Sequence, residues 1–94
     1  MKTLENKKFT FEGDTKESSY SDLIKVVAKT SPQGGIDAEE MNKRSRIFTS
    51  LKEEKDGVIS LEDADFELLK QLVATHKWGM YEENLLDFVN YIKA

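Results

Sequence analysis

The sequence predicts a small α+β domain, mainly helical, with about four helices and a minimal two-stranded β-sheet in the order β-α-α-β-α-α. Three observations carry this reading. Apolar residues recur at helical spacing in four separate stretches. Two short segments, one near each end of the first two thirds of the chain, have strand character. Ninety-four residues, 38% of them hydrophobic, supply one modest core. Residues 1–94 are therefore expected to form a single domain, with residues 1–6 as a flexible N-terminus.

The elements follow in order. Lys8-Phe9-Thr10-Phe11-Glu12 alternates polar and apolar residues before Gly13-Asp14, the pattern of a half-buried strand ending in a turn, with Phe9 and Phe11 on one face. Ser19 and Asp22 make a capping box for a first helix from Tyr20 to about Lys29, whose apolar face is Tyr20, Leu23, Ile24 and Val27. Thr30-Ser31-Pro32-Gln33-Gly34-Gly35 forces a turn. Asp37 caps a second helix from Ala38 to about Glu53, with Glu40 at its third position and Ile36 placed to staple against Met41. Its apolar stripe of Met41, Ile47, Phe48 and Leu51 is narrow, so this helix is expected to be the most exposed. After Asp56-Gly57, Val58-Ile59-Ser60-Leu61 is a second strand that pairs with the first. Ser60 with Asp63 opens a third helix bearing Phe66, Leu69, Leu72 and Val73, and Lys77-Trp78-Gly79 closes it. Leu85, Phe88, Val89 and Ile92 form the apolar face of a fourth.

Charge bounds the partners. The net charge is −4, distributed as +1 over residues 1–36, −1 over 37–61 and −4 over 62–94. An acidic C-terminal third repels phosphate backbones and favours protein partners. The chain has no Cys, so disulfides and thiolate metal sites are excluded. The first residues lack the apolar run of a signal peptide and no stretch approaches a membrane span, which points to a cytoplasmic protein without a membrane partner.

Chemistry is sparse. His76 is the only histidine, and its place near the end of the third helix suits a structural cap of the final carbonyls. No serine lies in a nucleophile-elbow context, and Gly34-Gly35 lacks the lysine and hydroxyl of a phosphate loop. The acids Glu62, Asp63, Asp65 and Glu67 fall where negative charge complements the amides opening a helix. No enzyme, cofactor, metal site or small-molecule substrate is therefore expected.

Two features remain for recognition. Lys43, Arg44 and Arg46 form the tight basic cluster of the second helix, and its narrow stripe predicts that they face solvent. A turn-rich loop precedes them, as in a helix-turn-helix, but Glu39 and Glu40 can pair with Lys43 and Arg44 at i, i+4 and place acids where a recognition helix presents donors. Trp78, Met80 and Tyr81 bring interface-forming side chains into the connection between the last two helices, where the competing role for Trp78 is to close the core. These six residues, Lys43, Arg44, Arg46, Trp78, Met80 and Tyr81, are the expected partner-binding set. The expected function is a non-enzymatic protein-interaction or regulatory module, and the alternative is a helix-turn-helix-like nucleic-acid-binding protein.

Two resemblances bear on this. Asp56-Gly57-Val58-Ile59-Ser60-Leu61-Glu62-Asp63 resembles the second half of an EF-hand loop, but Lys52 stands at the first ligand position and the shorter Asp63 at the last, so calcium ligation is not carried over. Glu40-Met41, Arg44, Arg46-Ile47, Leu51, Leu61-Glu62-Asp63-Ala64-Asp65-Phe66, Trp78 and Phe88-Val89 resemble small uncharacterised proteins of bacteriophages and prophages. That resemblance covers about two thirds of the chain and implies an accessory or regulatory role without an established activity.

Overall fold

A computed structural model describes all 94 residues. Four helices pack with two separate two-stranded antiparallel ladders, an α+β domain as the sequence predicts. The strands are β1 (Lys2–Glu5), β2 (Lys8–Thr10), β3 (Glu17–Ser19) and β4 (Val58–Leu61). The helices are α1 (Tyr20–Lys29), α2 (Ala38–Lys52), α3 (Asp63–Thr75) and α4 (Glu83–Lys93).

The strand pairing departs from the sequence expectation. The partner of β4 is β1, not the strand at residue 8, in the register Lys2 to Leu61 and Leu4 to Ile59. The N-terminus expected to be flexible is thus a ladder strand, held because Leu4 is buried beside Ile59 in the main core. One apolar residue in Lys2-Thr3-Leu4-Glu5 leaves almost no alternation to read, which is why the pattern missed it. β2 folds back on β3 instead, Phe9 opposite Ser18, and Phe9 meets Phe11 edge to face with ring centroids 5.0 Å apart.

The helix ends agree with the sequence only in part; α3, expected to close at Lys77-Trp78-Gly79, already stops at Thr75 with an extended His76 as its C-cap. Ser19 and Asp22 form the reciprocal capping box of α1, and the Asp37 carboxylate accepts from the Glu40 N–H at 2.8 Å. Glu40 does not return the contact: its carboxylate binds Arg44 instead, and Met41, the expected staple residue, is exposed. Ser60 does not cap α3, because it lies within β4 opposite Thr3; the N-cap is Glu62, without a side-chain bond.

A polar junction ties the two ladders to the helices. Asn6, between β1 and β2, donates from Nδ2 to Glu54 Oε1 at 2.8 Å, accepts at Oδ1 from the Ser21 N–H at 2.7 Å, and donates its own N–H to Gly57 O at 2.8 Å. One side chain thereby fixes the start of α1 against the α2–β4 connection. That connection is a two-residue hairpin turn: Asp56 and Gly57 both take positive φ, 54° and 77°, and Lys55 and Val58 exchange both backbone hydrogen bonds. Asp-Gly suits this turn because both central residues need left-handed backbone. The EF-hand-like segment is therefore a tight hairpin running into strand and helix, with Glu54 committed to Asn6 and Asp63 within 3.1 Å of the N-terminal amine.

The core lies where all four helices meet the inner residues of β1 and β4, α2 contributing Ile47 and Leu51. Ile24, Ile47, Ile59, Leu61, Leu69, Phe88 and Ile92 are among its most enclosed side chains. Tyr20 extends it, 5.1 Å from the Phe88 ring and 5.6 Å from Tyr91, and burial raises its hydroxyl pKa above the usual 10.0, with Asp87 adding to the effect.

Candidate functional site

The six residues expected to bind a partner divide into two groups that the fold keeps apart. Lys43, Arg44 and Arg46 stand on α2; Trp78, Met80 and Tyr81 occupy the α3–α4 connection. The clefts beside Lys43 and Arg46 share no lining residue with those beside Trp78, whereas the cleft beside Arg44 meets the Trp78 groove at His76.

The basic group is largely consumed inside the molecule. Arg44, expected to face solvent, is only 5% exposed. Its Nη1 donates to Ala28 O at 3.3 Å and Thr30 O at 2.7 Å, and its Nε to Glu40 Oε1 at 3.3 Å. These carbonyls are among the last of α1, so the guanidinium neutralises a helix C-terminus that the chain would otherwise leave open. The narrow stripe of α2 concealed this, because an arginine with a long apolar stem fills a core-facing position while its head finds carbonyls. Arg46 keeps half its side chain in water but places Nε 3.0 Å from Oδ1 of Asp65, an acid only 4% exposed. Lys43 lies 3.7 Å from Glu39 on the surface. Of the three, Arg44 drops out of any docking surface and Arg46 is committed to Asp65.

A cleft of about 500 Å³ beside Arg44 is lined by Thr30, Ser31, Gln33, Thr75, His76 and Lys77 among others, and no acid lines it. It nevertheless receives the C-terminal ends of α1 and α3, whose carbonyl ends carry negative partial charge. Arg44 and Lys77 offset that charge, which accounts for the cluster without an anionic ligand.

The aromatic group behaves differently. Trp78 is half buried, 4.4 Å from the His76 ring and 6.3 Å from Phe88, both edge to face. It closes one end of the core and also forms a wall between two grooves. One groove, about 260 Å³, runs between α3 and α4 and is lined by Val73, Trp78, Met80, Tyr81, Leu86 and Val89 with Glu82 and Lys93 at its ends. The other, about 750 Å³, opens toward α1 and β3 and includes Phe11, Leu23, Val26, Trp78 and Met80. Tyr81 is 81% exposed, Met80 61% and Leu86 46%. Leu86 and Val26 were not singled out from the sequence. The signal was present in Leu86, which falls outside the i, i+3, i+7 set Leu85, Phe88 and Ile92 that faces the core.

Two titratable groups here have specific environments. His76 does not cap carbonyls with its imidazole: its backbone N–H donates to Leu72 O, its ring packs on Trp78, and burial lowers its pKa below the usual 6.5. Glu82 caps α4, accepting at Oε1 from the Asn84 N–H at 3.2 Å, while its Oε2 is buried without a hydrogen-bond partner.

Comparison with known proteins gave no family model matching this chain, and no significant match among curated proteins or solved structures.

Proposed function

We propose that this protein is a small non-enzymatic interaction module that docks a protein partner on the Trp78 turn and the adjoining face of α4. The observation that carries the reading is the joint exposure of Met80, Tyr81 and Leu86 around a Trp78 wedged into the core. A rigid aromatic anchor ringed by flexible apolar side chains is the composition of an interface centre. Several polar residues elsewhere are engaged in structural contacts: Arg44 on α1, Asp65 on Arg46, Asn6 on α1 and the α2–β4 turn. The resemblance to small phage and prophage proteins fits an accessory or regulatory role of this kind in the cytoplasm. No helix is long and apolar enough to cross a membrane.

The nucleic-acid reading loses its main support with the burial of Arg44. Lys43 and Arg46 remain as partly exposed cations on α2, each facing an acid, and two neutralised phosphates supply little affinity at physiological salt. A photo-crosslinking side chain placed at position 81 and, separately, at position 43 tests the choice in native lysate. Capture of a defined protein at 81 and not at 43 is expected. Capture of nucleic acid at 43, with nothing at 81, would replace docking by nucleic-acid binding.

A further inference from the structure

The charges and apolar residues along one edge of α4 carry a pattern that selects the occupant of the α3–α4 groove. Glu82, Leu86, Val89 and Lys93 all line it. Their spacing of four, three and four residues places them on one stripe of the helix, about 16 Å long. This stripe lies beside the Leu85, Phe88 and Ile92 face that enters the core, and Leu86 is unpartnered in it. An acid stands at one end, a base at the other, and two aliphatic residues lie between them.

The sequence of that stripe is complementary to its own reverse. Laid antiparallel on a copy of itself about a two-fold axis between residues 87 and 88, Glu82 meets Lys93, Leu86 meets Val89, and the same two contacts recur on the other side of the axis. Such reciprocity is what an isologous interface requires. Antiparallel helices also set each positive N-terminal end against a negative C-terminal end. Glu82 holds Oε1 on the Asn84 N–H and keeps Oε2 enclosed within the chain, so the reverse alignment brings Lys93 to it as an opposite charge at that end and not as a donor to Oε2. We propose that the docking face pairs with a second copy of this chain, α4 lying antiparallel along α4, with Trp78, Met80 and Tyr81 covering the ends of the shared helix pair. This deepens the docking function above and rests on it. Two chains of net charge −4 repel at long range, but at about 0.15 M salt the screening length of roughly 8 Å confines that repulsion while contact pairs persist.

Sedimentation equilibrium tests the pairing. The mass of the full chain should rise with concentration from 10.8 kDa toward twice that value. Glu82→Lys and Lys93→Glu each place like charges at both ends of the helix pair, so each variant alone should remain at 10.8 kDa. Mixed in equal amounts they regain opposite charges at both ends, and the mixture should dimerise. Because Glu82 also caps α4, Leu86→Glu, which leaves the cap intact, must abolish the dimer as well, with helix content unchanged by circular dichroism. A wild-type mass fixed at 10.8 kDa through the millimolar range, a dimer that survives Leu86→Glu, or single-charge variants that do not combine would overturn the pairing. If position 81 still captures a different protein while the mass stays monomeric, the docking function stands and the second copy does not.

Discussion

The face of α2 and the α3–α4 connection treat polar and apolar groups in opposite ways. From α2, long polar side chains reach inward: Arg44 onto the last carbonyls of α1, beside the C-terminal end of α3, and Arg46 onto buried Asp65 in the first turn of α3. In the α3–α4 connection, apolar side chains reach outward: Met80 and Tyr81 stand in solvent beside half-buried Trp78. Both regions are built from residues that suit recognition. The difference shows that residue type does not mark an interface; what marks it is whether the side chain's interaction capacity is already used within the fold.

Substitution in the two regions should separate them sharply. Arg44→Ala leaves Ala28 O, Thr30 O and Glu40 without their donor, and a loss of about 2–3 kcal/mol is expected in urea unfolding. A neutral result would erase the distinction between the two regions. Asn6→Ala comes next: the Ser21 N–H and Glu54 lose their partner, at a cost of about 1–2 kcal/mol by the same measurement. Tyr81→Ala should stay within about 0.5 kcal/mol of wild type while weakening the dimer. If it instead melts early, Tyr81 belongs to the core.

A smaller effect is expected from pH. Burial disfavours the charged form of His76, so its folded pKa lies below the unfolded value of 6.5. The stability tied to this group is then complete above pH 6.5 and declines as the pH falls below it, because the unfolded chain takes up the proton first. His76→Gln should remove that part of the slope in a pH series of unfolding curves. The smallest effect is expected at the α2–β4 turn. Millimolar calcium should leave amide shifts of residues 52–63 unchanged, since Lys52 supplies a cation where a ligand is needed and Glu54 is engaged with Asn6. Saturable shifts there would restore the EF-hand reading.

Much of the helical frame was legible because periodicity and caps agree in the same segments. Tyr20, Leu23, Ile24 and Val27 enter the core as spaced, and Ser19 and Asp37 cap the helices they precede. The strands were harder, because pairing partners are set by tertiary burial: Leu4 alone pulls β1 onto β4, and a lone leucine has no period. At the candidate site, exposure of Met80 and Tyr81 followed from their place in a connection, whereas Arg44 was misplaced because a charged side chain reads as surface unless its carbonyl partners, sixteen and fourteen residues upstream, are known. The reverse symmetry of Glu82, Leu86, Val89 and Lys93 is written in the sequence, but it becomes meaningful only when the fold leaves that stripe open.

An amide-shift map recorded across a dilution series from millimolar to micromolar chain tests most directly which of the two regions meets a partner. The account predicts concentration-dependent shifts confined to residues 78–93 and the groove wall of α3, with Lys43 and Arg46 unchanged. Shifts centred on α2, or a spectrum that does not move with concentration at residues 78–93, would contradict it.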